Sequence, residues 1–327
     1  MRADRLPSHP NHRPAFFKRR IGRDLTLAGF ALIALVASAC EAGANIVMEG
    51  TASAAPPSVT LALLGDVMLG RSVHPSAETF LYLEPYLRSA DLALANLESP
   101  LTGQPVQTAS PYALCAPPEN VKFLAQAGFD LLSLANNHIL DCGLDGLAET
   151  QSTLAEANLG YLGPDPTPAF REVNGIRLAF LAFDATSDFQ LQSAVQAVQS
   201  ARQAAALVIV SIHWGAEYQS GESDYQEQIA SQLAGAGAAL IWGHHPHVLQ
   251  PAQWLDGRQT LVLYSLGNAL FDQYGLETTR RSALAWVKLN QQGVQGLQAV
   301  PFLIDVRHSR IVEADAASAQ TVSAYFK

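Results

Sequence analysis

The stretch AALIWGHHPH, residues 238–247, combines the two features that decide the fold. Ala238–Trp242 is a short apolar run, as expected of a strand that is buried on both faces. Gly243 ends this run, and three histidines follow within four residues. Three imidazoles around one proline have little structural use, whereas imidazole is a common ligand of divalent metals. The stretch therefore predicts a buried strand with metal ligands at its carboxyl end.

Four other apolar runs also end in polar residues. They are Val59–Leu64 before Gly65-Asp66, Leu92–Ala95 before Asn96-Leu97-Glu98, Leu131–Leu134 before Asn136-Asn137-His138, and Leu207–Ile212 before His213-Trp214-Gly215-Ala216-Glu217. Ligands of open α/β sheets bind beyond the carboxyl ends of the strands, so these polar clusters are expected to meet at one edge. Five of the nine histidines of the chain lie in the five clusters.

Helical segments are predicted between the apolar runs, near residues 77–88, 118–127, 145–157, 190–204 and 223–235. This alternation, which includes a further run at Ile176–Phe183, predicts an α/β fold with a largely parallel sheet covered on both faces. Three later runs have little helix between them and predict a second, more antiparallel sheet packed on the first. These runs are Leu261–Tyr264, Ala283–Leu289 and Leu297–Ile304.

The charge of the chain is distributed unevenly. The first 39 residues carry seven Lys/Arg and two Asp/Glu, so the rest carries 13 basic and 27 acidic side chains, a net charge of −14. Such an acidic body has no nucleic-acid footprint, and we expect no nucleic-acid partner. An anionic substrate would have to be held by local cations.

The N-terminal region, residues 1–39, is typical of a signal peptide or membrane anchor. A basic flank precedes Leu25–Ala39, an apolar run of 15 residues that is short for a membrane-spanning helix. Ala37-Ser38-Ala39-Cys40 follows, which leaves three alternatives: lipidation of Cys40, simple secretion, or an uncleaved anchor. Residues 40–58 are expected to be a flexible tether and residues 59–327 the folded domain. We expect the protein at the cell membrane on its extracytoplasmic side, held by a lipid anchor.

Two of the three cysteines, Cys115 and Cys142, remain if Cys40 is lipidated. Disulfides persist outside the cytoplasm, so the pair is expected either to form a disulfide or to remain as two free buried thiols.

Six segments together resemble the motifs of the CapA poly-γ-glutamate capsule biosynthesis family, in order and spacing, over roughly residues 59–275. They are LLGDVMLGR (63–71), ANLESPLT (95–102), GFDLLSLANNHILDCGLDGL (128–147), SIHWGAEY (211–218), GHHPHVLQP (243–251) and YSLGNALFDQ (264–273). That family is similar to calcineurin-like metallophosphatases. The resemblance implies a four-layer α/β/β/α sandwich of the metallo-dependent phosphatase type, with a metal centre at the strand ends.

The resemblance also implies the roles of individual residues. The implied metal ligands are Asp66, Glu98, Asn137, His213, His245 and His247. Asn137 and His138 would be catalytic, with His138 meeting the scissile or leaving oxygen. Imidazole and carboxylate donors suit Mn, Zn or Fe, as one or two ions. Met68 departs from the pattern, because metallophosphatases have histidine there; His74 is a nearby substitute.

A further set of residues is expected to contact the substrate: Asn96, His244, Trp214, Glu217, Asn268 and Arg71. Trp214 and Glu217 would form the wall of the site, and Asn268 would face the substrate. Arg71, Arg280 and Arg281 are candidates for binding a carboxylate or phosphate, because guanidinium groups pair with both. Ser265, Gly267, Asp272 and Gln273 belong to the family's last motif.

Two hypotheses for function follow. The first is an enzyme, in which a metal-dependent hydrolase site acts on an anionic polymer such as poly-γ-glutamate, or on phosphoesters generally. The second is a non-catalytic assembly factor that binds the polymer, or capsule synthase subunits in the membrane, through the same fold. Both place the protein in capsule synthesis or export, and the sequence leaves enzyme activity open because shared fold does not establish activity.

Overall fold

The computed structural model describes residues 56–327. The signal or anchor segment 1–39, Cys40 and nearly all of the tether 40–58 therefore lie outside the described residues. Within residues 56–327, no helix is long and apolar enough to cross a membrane.

The described part contains fourteen strands and six α-helices. The strands are β1 (Ser58–Val67), β2 (Leu92–Leu97), β3 (Leu131–Ser133), β4 (Gly160–Leu162), β5 (Ala169–Val173), β6 (Ile176–Asp184), β7 (Leu207–His213), β8 (Ala238–His244), β9 (Leu249–Leu255), β10 (Thr260–Leu266), β11 (Asn268–Leu270), β12 (Arg281–Asn290), β13 (Gly293–Asp305) and β14 (Arg310–Glu313). The helices are α1 (Glu84–Ser89), α2 (Val121–Ala127), α3 (Gly143–Glu156), α4 (Leu191–Ala204), α5 (Asp224–Gly235) and α6 (Ala316–Ser323). Short 3-10 helices lie at Pro118–Asn120, Glu277–Arg280 and Ala324–Phe326.

The strands form two sheets. The first has the order β14-β13-β12-β1-β2-β3-β4, with β11 beside the end of β1, and the second has the order β5-β6-β7-β8-β10-β9. β1 to β4 are parallel to one another, as are β6, β7, β8 and β10. Two packed sheets were expected, but the assignment of the late strands to a second, more antiparallel sheet was wrong. Each sheet has a parallel centre, and the late strand β12 pairs antiparallel with β1 in the first sheet.

Three apolar clusters separate the layers. One lies between the sheets and includes Leu61 of β1, Phe180 of β6 and Trp242 of β8. The second lies between the first sheet and helices α1 to α3, and the third between the second sheet and helices α4 and α5. This arrangement confirms the four-layer α/β/β/α sandwich expected from the family resemblance.

Local sequence accounts for the helix boundaries. Ser223 and Gln226 form a reciprocal capping box at the start of α5, and Gly128, with φ of 99°, ends α2 in a left-handed conformation. The segment predicted as helix over residues 77–88 is helical only in α1. Thr79 accepts from the Ser76 backbone N–H and donates to a backbone carbonyl, and such side-chain bonds compete with helix formation.

The chain crosses from one sheet to the other at Gly267, which has a φ of 68° and lies between β10 and β11. A Cβ atom on Gly65 would lie 1.8 Å from the Gly267 carbonyl oxygen, so this close approach requires glycine at position 65. The Asp66 backbone N–H donates to the same carbonyl at 3.0 Å. The crossing therefore fixes the end of β1 and brings Asn268 beside it.

Candidate metal centre

The carboxyl ends of both parallel sheet centres meet at one place. β1 ends near Asp66 and β2 near Glu98, while β7 ends at His213 and β8 leads into His245 and His247. His213 lies opposite His244 in the register of β7 and β8. The six implied metal ligands are thereby brought together from both sheets.

Three buried ligands form a compact group on the side of β1. Ligand atoms of Asp66, Glu98 and His247 all lie within 4.8 Å of one another. His247 Nδ1 lies 3.5 Å from Asp66 Oδ2, and its Nε2 lies 3.8 Å from Glu98 Oε1. Carboxylate and imidazole donors in this arrangement are suited to a divalent transition metal.

A second group lies on the side of β7. His213 Nε2 lies 2.9 Å from Asn137 Oδ1 and 3.2 Å from His245 Nδ1. The same nitrogen lies 3.8 Å from Glu98 Oε1, so the Glu98 carboxylate faces both groups. Both His245 and His247 have positive φ angles, 95° and 58°. Backbone strain of this kind is concentrated at functional sites.

The Glu98 carboxylate tests whether these residues fit a metal. It is fully buried, and within residues 56–327 no hydrogen-bond donor is paired with either of its oxygens. Oε1 faces nitrogens of His138, His213 and His247 at 3.8 to 3.9 Å, which is too long for hydrogen bonds. A buried carboxylate without partners is costly unless a cation compensates its charge. The donor set therefore fits a divalent metal.

The pKa values of the buried ligands show how strongly these side chains interact at the proposed metal site. Burial raises the pKa of Glu98 well above its usual value, against the opposing charge of His247. Burial also tends to raise the pKa of Asp66, but the hydrogen bond from His247 and the nearby imidazoles hold it below its usual value. Burial opposes the charged form of His247, yet Glu98 and Asp66 raise its pKa to about 9. Burial and the neighbouring His245 lower the pKa of His213 well below its usual value, which keeps it neutral as a ligand must be.

His138 lies at the floor of an open cleft beside the metal ligands. Its Nδ1 lies 2.8 Å from Asp141 Oδ2, and its Nε2 lies 3.9 Å from Glu98 Oε1. Asp141 also accepts from the Leu114 backbone N–H at 2.8 Å. Asp141 was not among the residues expected from the sequence, although its spacing of three residues from His138 was visible.

Three residues expected to contact substrate lie beneath the site instead. Asn96 is fully buried and donates to Asp66 Oδ1 at 2.8 Å. His244 is buried, with its Nε2 3.1 Å from Ser211 Oγ. Asn268 is fully buried, and its Oδ1 lies 2.9 Å from His247 Nδ1. Their expected substrate contacts were wrong, because each side chain supports a metal-site residue or the sheet below it.

Trp214 is also misplaced by the sequence argument. Its indole is fully buried between β8, β10 and α5, donates to the Tyr264 carbonyl at 2.8 Å and stacks on the Tyr264 ring. It cannot form the wall of the site, because the side chain after the β7 end points to the opposite face of the sheet from His213.

The cleft above the metal ligands has a volume of about 400 Å³. Arg71 and Glu217 line it, as expected. Arg71 is ion-paired with Asp272 and lies over the Phe271 ring. Other residues of the lining were not expected: Ser110, Tyr112, Leu114, Tyr218, Phe271 and Gln273 stand beside Asn137, His138 and His247. Aromatic residues in loops carry no periodic signal. Tyr218 and Phe271 could have been indicated only by their membership of the SIHWGAEY and YSLGNALFDQ motifs, and Tyr112 had no such signal.

Comparison with known proteins gives the family. Residues 60–273 match the family described as bacterial capsule synthesis protein PGA_cap. The chain belongs to this family. PGA biosynthesis protein CapA of Bacillus subtilis is 32% identical over 293 residues, covering 81% of this chain and 76% of that protein. Capsule biosynthesis protein CapA of Bacillus anthracis is 34% identical over 280 residues, covering 75% and 67%.

Solved structures support the fold of this PGA_cap member. A hypothetical protein from Thermus thermophilus is similar, with a TM-score of 0.52 and 18% identity, over 75% of this chain and 99% of that chain. A phosphatase from Mycoplasma pneumoniae is similar, with a TM-score of 0.51 and 15% identity, over 81% and 98%. At these identities the likeness concerns the fold alone.

Met68 stands where the resemblance to metallophosphatases predicts a histidine, so this PGA_cap member lacks that imidazole donor beside Asp66. Its side chain is fully buried in the core of the first sheet, and its sulfur accepts from the Gly70 backbone N–H at 3.0 Å. His74, the expected substitute, is exposed, and its backbone N–H donates to Ser309 Oγ. It is not part of the Asp66, Glu98 and His247 group.

Two further arginines lie away from the cleft. Arg280 and Arg281 line a separate depression with Asp315, and Arg281 is ion-paired with Glu277. They do not contribute to the lining of the cleft. Their expected part in binding an anion there was wrong, because both side chains line the other depression.

The remaining two cysteines are joined. Cys115 and Cys142 form a disulfide with Cα atoms 6.3 Å apart. The bond connects the loop of residues 98–117 to the start of α3, four residues after His138. The alternative of two free buried thiols is thereby excluded for this structure.

Proposed function

We propose that this PGA_cap member takes part in the synthesis or export of a poly-γ-glutamate capsule through a metal-dependent hydrolase-type site. The capsule process is supported by the family and by the Bacillus relatives, which are named for PGA and capsule biosynthesis. A hydrolase-type site is supported by its own geometry, because activity has to be argued from a site and not from a fold.

One observation carries the hydrolase proposal. The buried Glu98 carboxylate has no hydrogen-bond partner among residues 56–327, and three imidazoles face it beneath an open cleft. A purely structural role would leave in the core either an uncompensated charge or a carboxylic acid without hydrogen-bond partners, and both are costly. A metal site beneath a substrate-sized cleft removes that cost and explains the position of every ligand.

The residues that would hold the metal are Asp66, Glu98, Asn137, His213, His245 and His247. A bound Mn, Zn or Fe ion supplies Lewis acidity and makes water nucleophilic near neutral pH. His138 stands beside the ligands, and its Nε2 would donate a proton to the leaving oxygen or nitrogen. Asp141 holds the opposite nitrogen of that ring at 2.8 Å.

Met68 affects how the ions would be held. The group of Asp66, Glu98 and His247 offers three donors, whereas Glu98 with Asn137, His213 and His245 offers four. Thioethers are poor ligands for these ions compared with nitrogen and oxygen. We therefore propose that the tighter ion binds at the second group, where His213 and His245 supply nitrogen donors, while His247 lies in the compact group with Asp66 and Glu98.

We also propose an extracytoplasmic, membrane-anchored location, which is supported by the sequence and by one structural feature. The N-terminal motif ending in Cys40 supports a lipid anchor, and the Cys115–Cys142 disulfide is typical of an extracytoplasmic protein. The proposed partners are an anionic polymer such as poly-γ-glutamate and the synthase subunits of the membrane.

Turnover tests this function. Purified protein loaded with Mn or Zn is incubated with γ-linked glutamate polymer and, separately, with a generic phosphodiester. We expect metal-dependent cleavage of one of them, lost in His247→Ala and retained in His308→Asn. His308 is an exposed histidine paired with Asp305 outside the cleft, so it is a matched control. Metal-loaded protein that binds the polymer and cleaves neither substrate would establish the assembly-factor alternative instead.

A further inference from the structure

Tyr218 lies at the edge of the cleft in a conformation that tyrosine rarely adopts. Its φ is 64°, and its backbone N–H donates to the Pro246 carbonyl at 2.8 Å. Pro246 lies between His245 and His247, so the metal-site segment itself holds this strained residue. Tyr218 is 43% exposed, and the centre of its ring lies 6.1 Å from that of the His247 ring. Strain at such a position is maintained when the surrounding structure requires it.

A chain of hydrogen bonds gives the Tyr218 hydroxyl a defined direction. Asn268 Nδ2 lies 3.1 Å from the Thr279 backbone carbonyl, which can only accept. The amide nitrogen of Asn268 is thereby identified, and it also donates to Gln273 Oε1 at 2.9 Å. The opposite end of the Gln273 side chain is then its Nε2 group, which donates to the Tyr218 hydroxyl at 3.2 Å.

The consequence concerns the phenolic proton. Because Gln273 donates to the hydroxyl oxygen, the phenolic proton of Tyr218 must point to a different acceptor. Within the protein that acceptor is the adjacent Glu217 carboxylate, and an anionic ligand in the cleft would compete with it. Burial of the ring and then the adjacent Glu217 carboxylate raise the pKa of Tyr218 to about 12, so the phenol keeps this proton. The chain of hydrogen bonds thus runs from the Thr279 carbonyl through Asn268 and Gln273 to the Tyr218 hydroxyl, which lies at the wall of the cleft.

The surroundings identify the kind of acceptor. Arg71 lines the same cleft, with its guanidinium over Phe271, whose ring lies 4.7 Å from His247. Asp272 accepts a hydrogen bond from the Arg71 guanidinium, which has five N–H donors in all, so further donors remain for a ligand. The cleft is therefore lined by a phenol donor, an arginine and the metal group. Together they favour a ligand with a negatively charged oxygen atom, as in a carboxylate or a phosphate.

We propose that Tyr218 is a substrate-contacting residue that donates its hydroxyl proton to an anionic oxygen bound beside the metal ligands, and that Gln273 is the residue that positions it. This proposal rests on the proposed function for the location of the substrate. It adds a specificity element that neither the metal ligands nor His138 supply. The two sources of such an oxygen, carboxylate and phosphate, are distinguished by separate probes.

Binding of two probes to the metal-loaded full chain tests the proposal by calorimetry. The probes are inorganic phosphate and γ-glutamylglutamate. Tyr218→Phe keeps the ring and removes the hydroxyl, and it should weaken the better-bound probe about 10- to 100-fold, as expected for a lost hydrogen bond to a charged group. Tyr225→Phe is the matched control, because Tyr225 is similarly exposed in the first turn of α5. It should bind both probes like the unaltered protein.

Gln273→Glu tests the positioning role. A carboxylate at this place would accept the phenolic proton, so the hydroxyl could no longer donate to the probe. We expect a loss similar to that of Tyr218→Phe, and the double variant should be no more than about twofold weaker than Tyr218→Phe alone, since coupled residues are not additive. Fully additive losses would overturn the role of Gln273.

Three outcomes would overturn the role of Tyr218. They are unchanged probe binding in Tyr218→Phe, a loss of metal from Tyr218→Phe that accounts for its weaker binding, and no binding of either probe to the unaltered protein. Turnover is measured apart from these. A protein that binds a probe through Tyr218 without cleaving a substrate contradicts hydrolysis alone, whereas cleavage with unchanged Tyr218→Phe binding contradicts this inference alone.

Discussion

Asp141 accepts two hydrogen bonds at one carboxylate oxygen. Oδ2 lies 2.8 Å from His138 Nδ1 and 2.8 Å from the Leu114 backbone nitrogen. The imidazole is thereby held with Nε2 toward Glu98, and the loop that carries Leu114 is attached to the same point. A single side chain thus connects the proposed proton donor with the wall of the cleft.

Replacing Asp141 by asparagine should lower turnover without removing metal. The amide keeps the shape and one acceptor oxygen but loses the negative charge that stabilises a protonated His138. We expect kcat to fall roughly 10- to 100-fold, less than the 10²- to 10⁴-fold expected for His138→Ala. Steady-state kinetics and metal analysis of both variants check this. Loss of bound metal in Asp141→Asn would instead make Asp141 a support of the ligands.

Sequence position predicted which residues reach the edge of the sheets, but not how deep they lie. Asp66 and His213 follow long apolar runs, and both lie in the cluster as predicted. Asn96 and Asn268 come from equally polar strand ends and are as fully buried as Asp66 and His213, yet they bond to metal-site residues and do not line the cleft. Depth depends on the close packing of the two sheets, and a single strand does not encode that packing.

At the scale of elements, the loop of residues 98–117 depends on the disulfide. This segment of 20 residues contains no helix or strand and holds Ser110 and Tyr112 in the lining of the cleft. Cys115 connects it to Cys142 at the start of α3, across 27 residues of sequence. The bridge and Asp141 together hold the loop against the segment that contains His138.

Removing the disulfide should therefore destabilise the protein and loosen this loop. Closing a loop of this length contributes about 3–4 kcal/mol to the free energy of unfolding in the chain-entropy model. The double variant Cys115→Ser, Cys142→Ser should show this decrease in denaturant unfolding, and limited proteolysis should cut within residues 98–117. A reductant should reproduce both effects in the unaltered protein and have none on the double variant. Equal unfolding free energies with and without the bridge would contradict the expectation.

The sequence predicted most individual strands but not how they are arranged in sheets. The apolar runs that became β1, β6, β7 and β8 were all identified from the sequence. Their division between two sheets was not, because β4 and β5 are short strands of three and five residues with weak patterns. The pairing of β12 with β1 joins residues more than two hundred positions apart, and such long-range pairing has no local signal.

At the scale of the whole molecule, the metal group is a net cost to folding when no cation compensates it. Glu98 lies at the carboxyl end of β2 with its carboxylate fully buried, and burial raises its pKa well above that of an ordinary glutamate. Asp66 beside it is held in the charged form by His247. The fold tolerates this arrangement because the three large apolar clusters between its layers stabilise the native state. Binding a cation should consequently stabilise the native state.

Glu98→Gln should therefore stabilise the metal-free protein and abolish its stabilisation by metal. The folded-state pKa of Glu98 is raised, so above the ordinary pKa of about 4.3 the unfolded chain has lost a proton that the folded chain retains. This contribution to the free energy of unfolding falls as pH rises, up to the folded-state pKa, whereas the glutamine does not titrate. The advantage of the variant should grow by up to about 1.4 kcal/mol per pH unit in that window.

Chelator-treated proteins, unfolded in denaturant from pH 4 to pH 8, give the measurement. The histidines of the cluster titrate in the same range and are present in both proteins, but Glu98 helps to raise the pKa of His247. The difference between the two curves therefore reports Glu98 together with its coupling to His247. Adding Mn or Zn should raise the free energy of unfolding of the unaltered protein and leave that of Glu98→Gln nearly unchanged. If the metal-free variant is less stable than the unaltered protein across this range, Glu98 is a satisfied structural carboxylate. The metal assignment would then lose the residue on which it depends most.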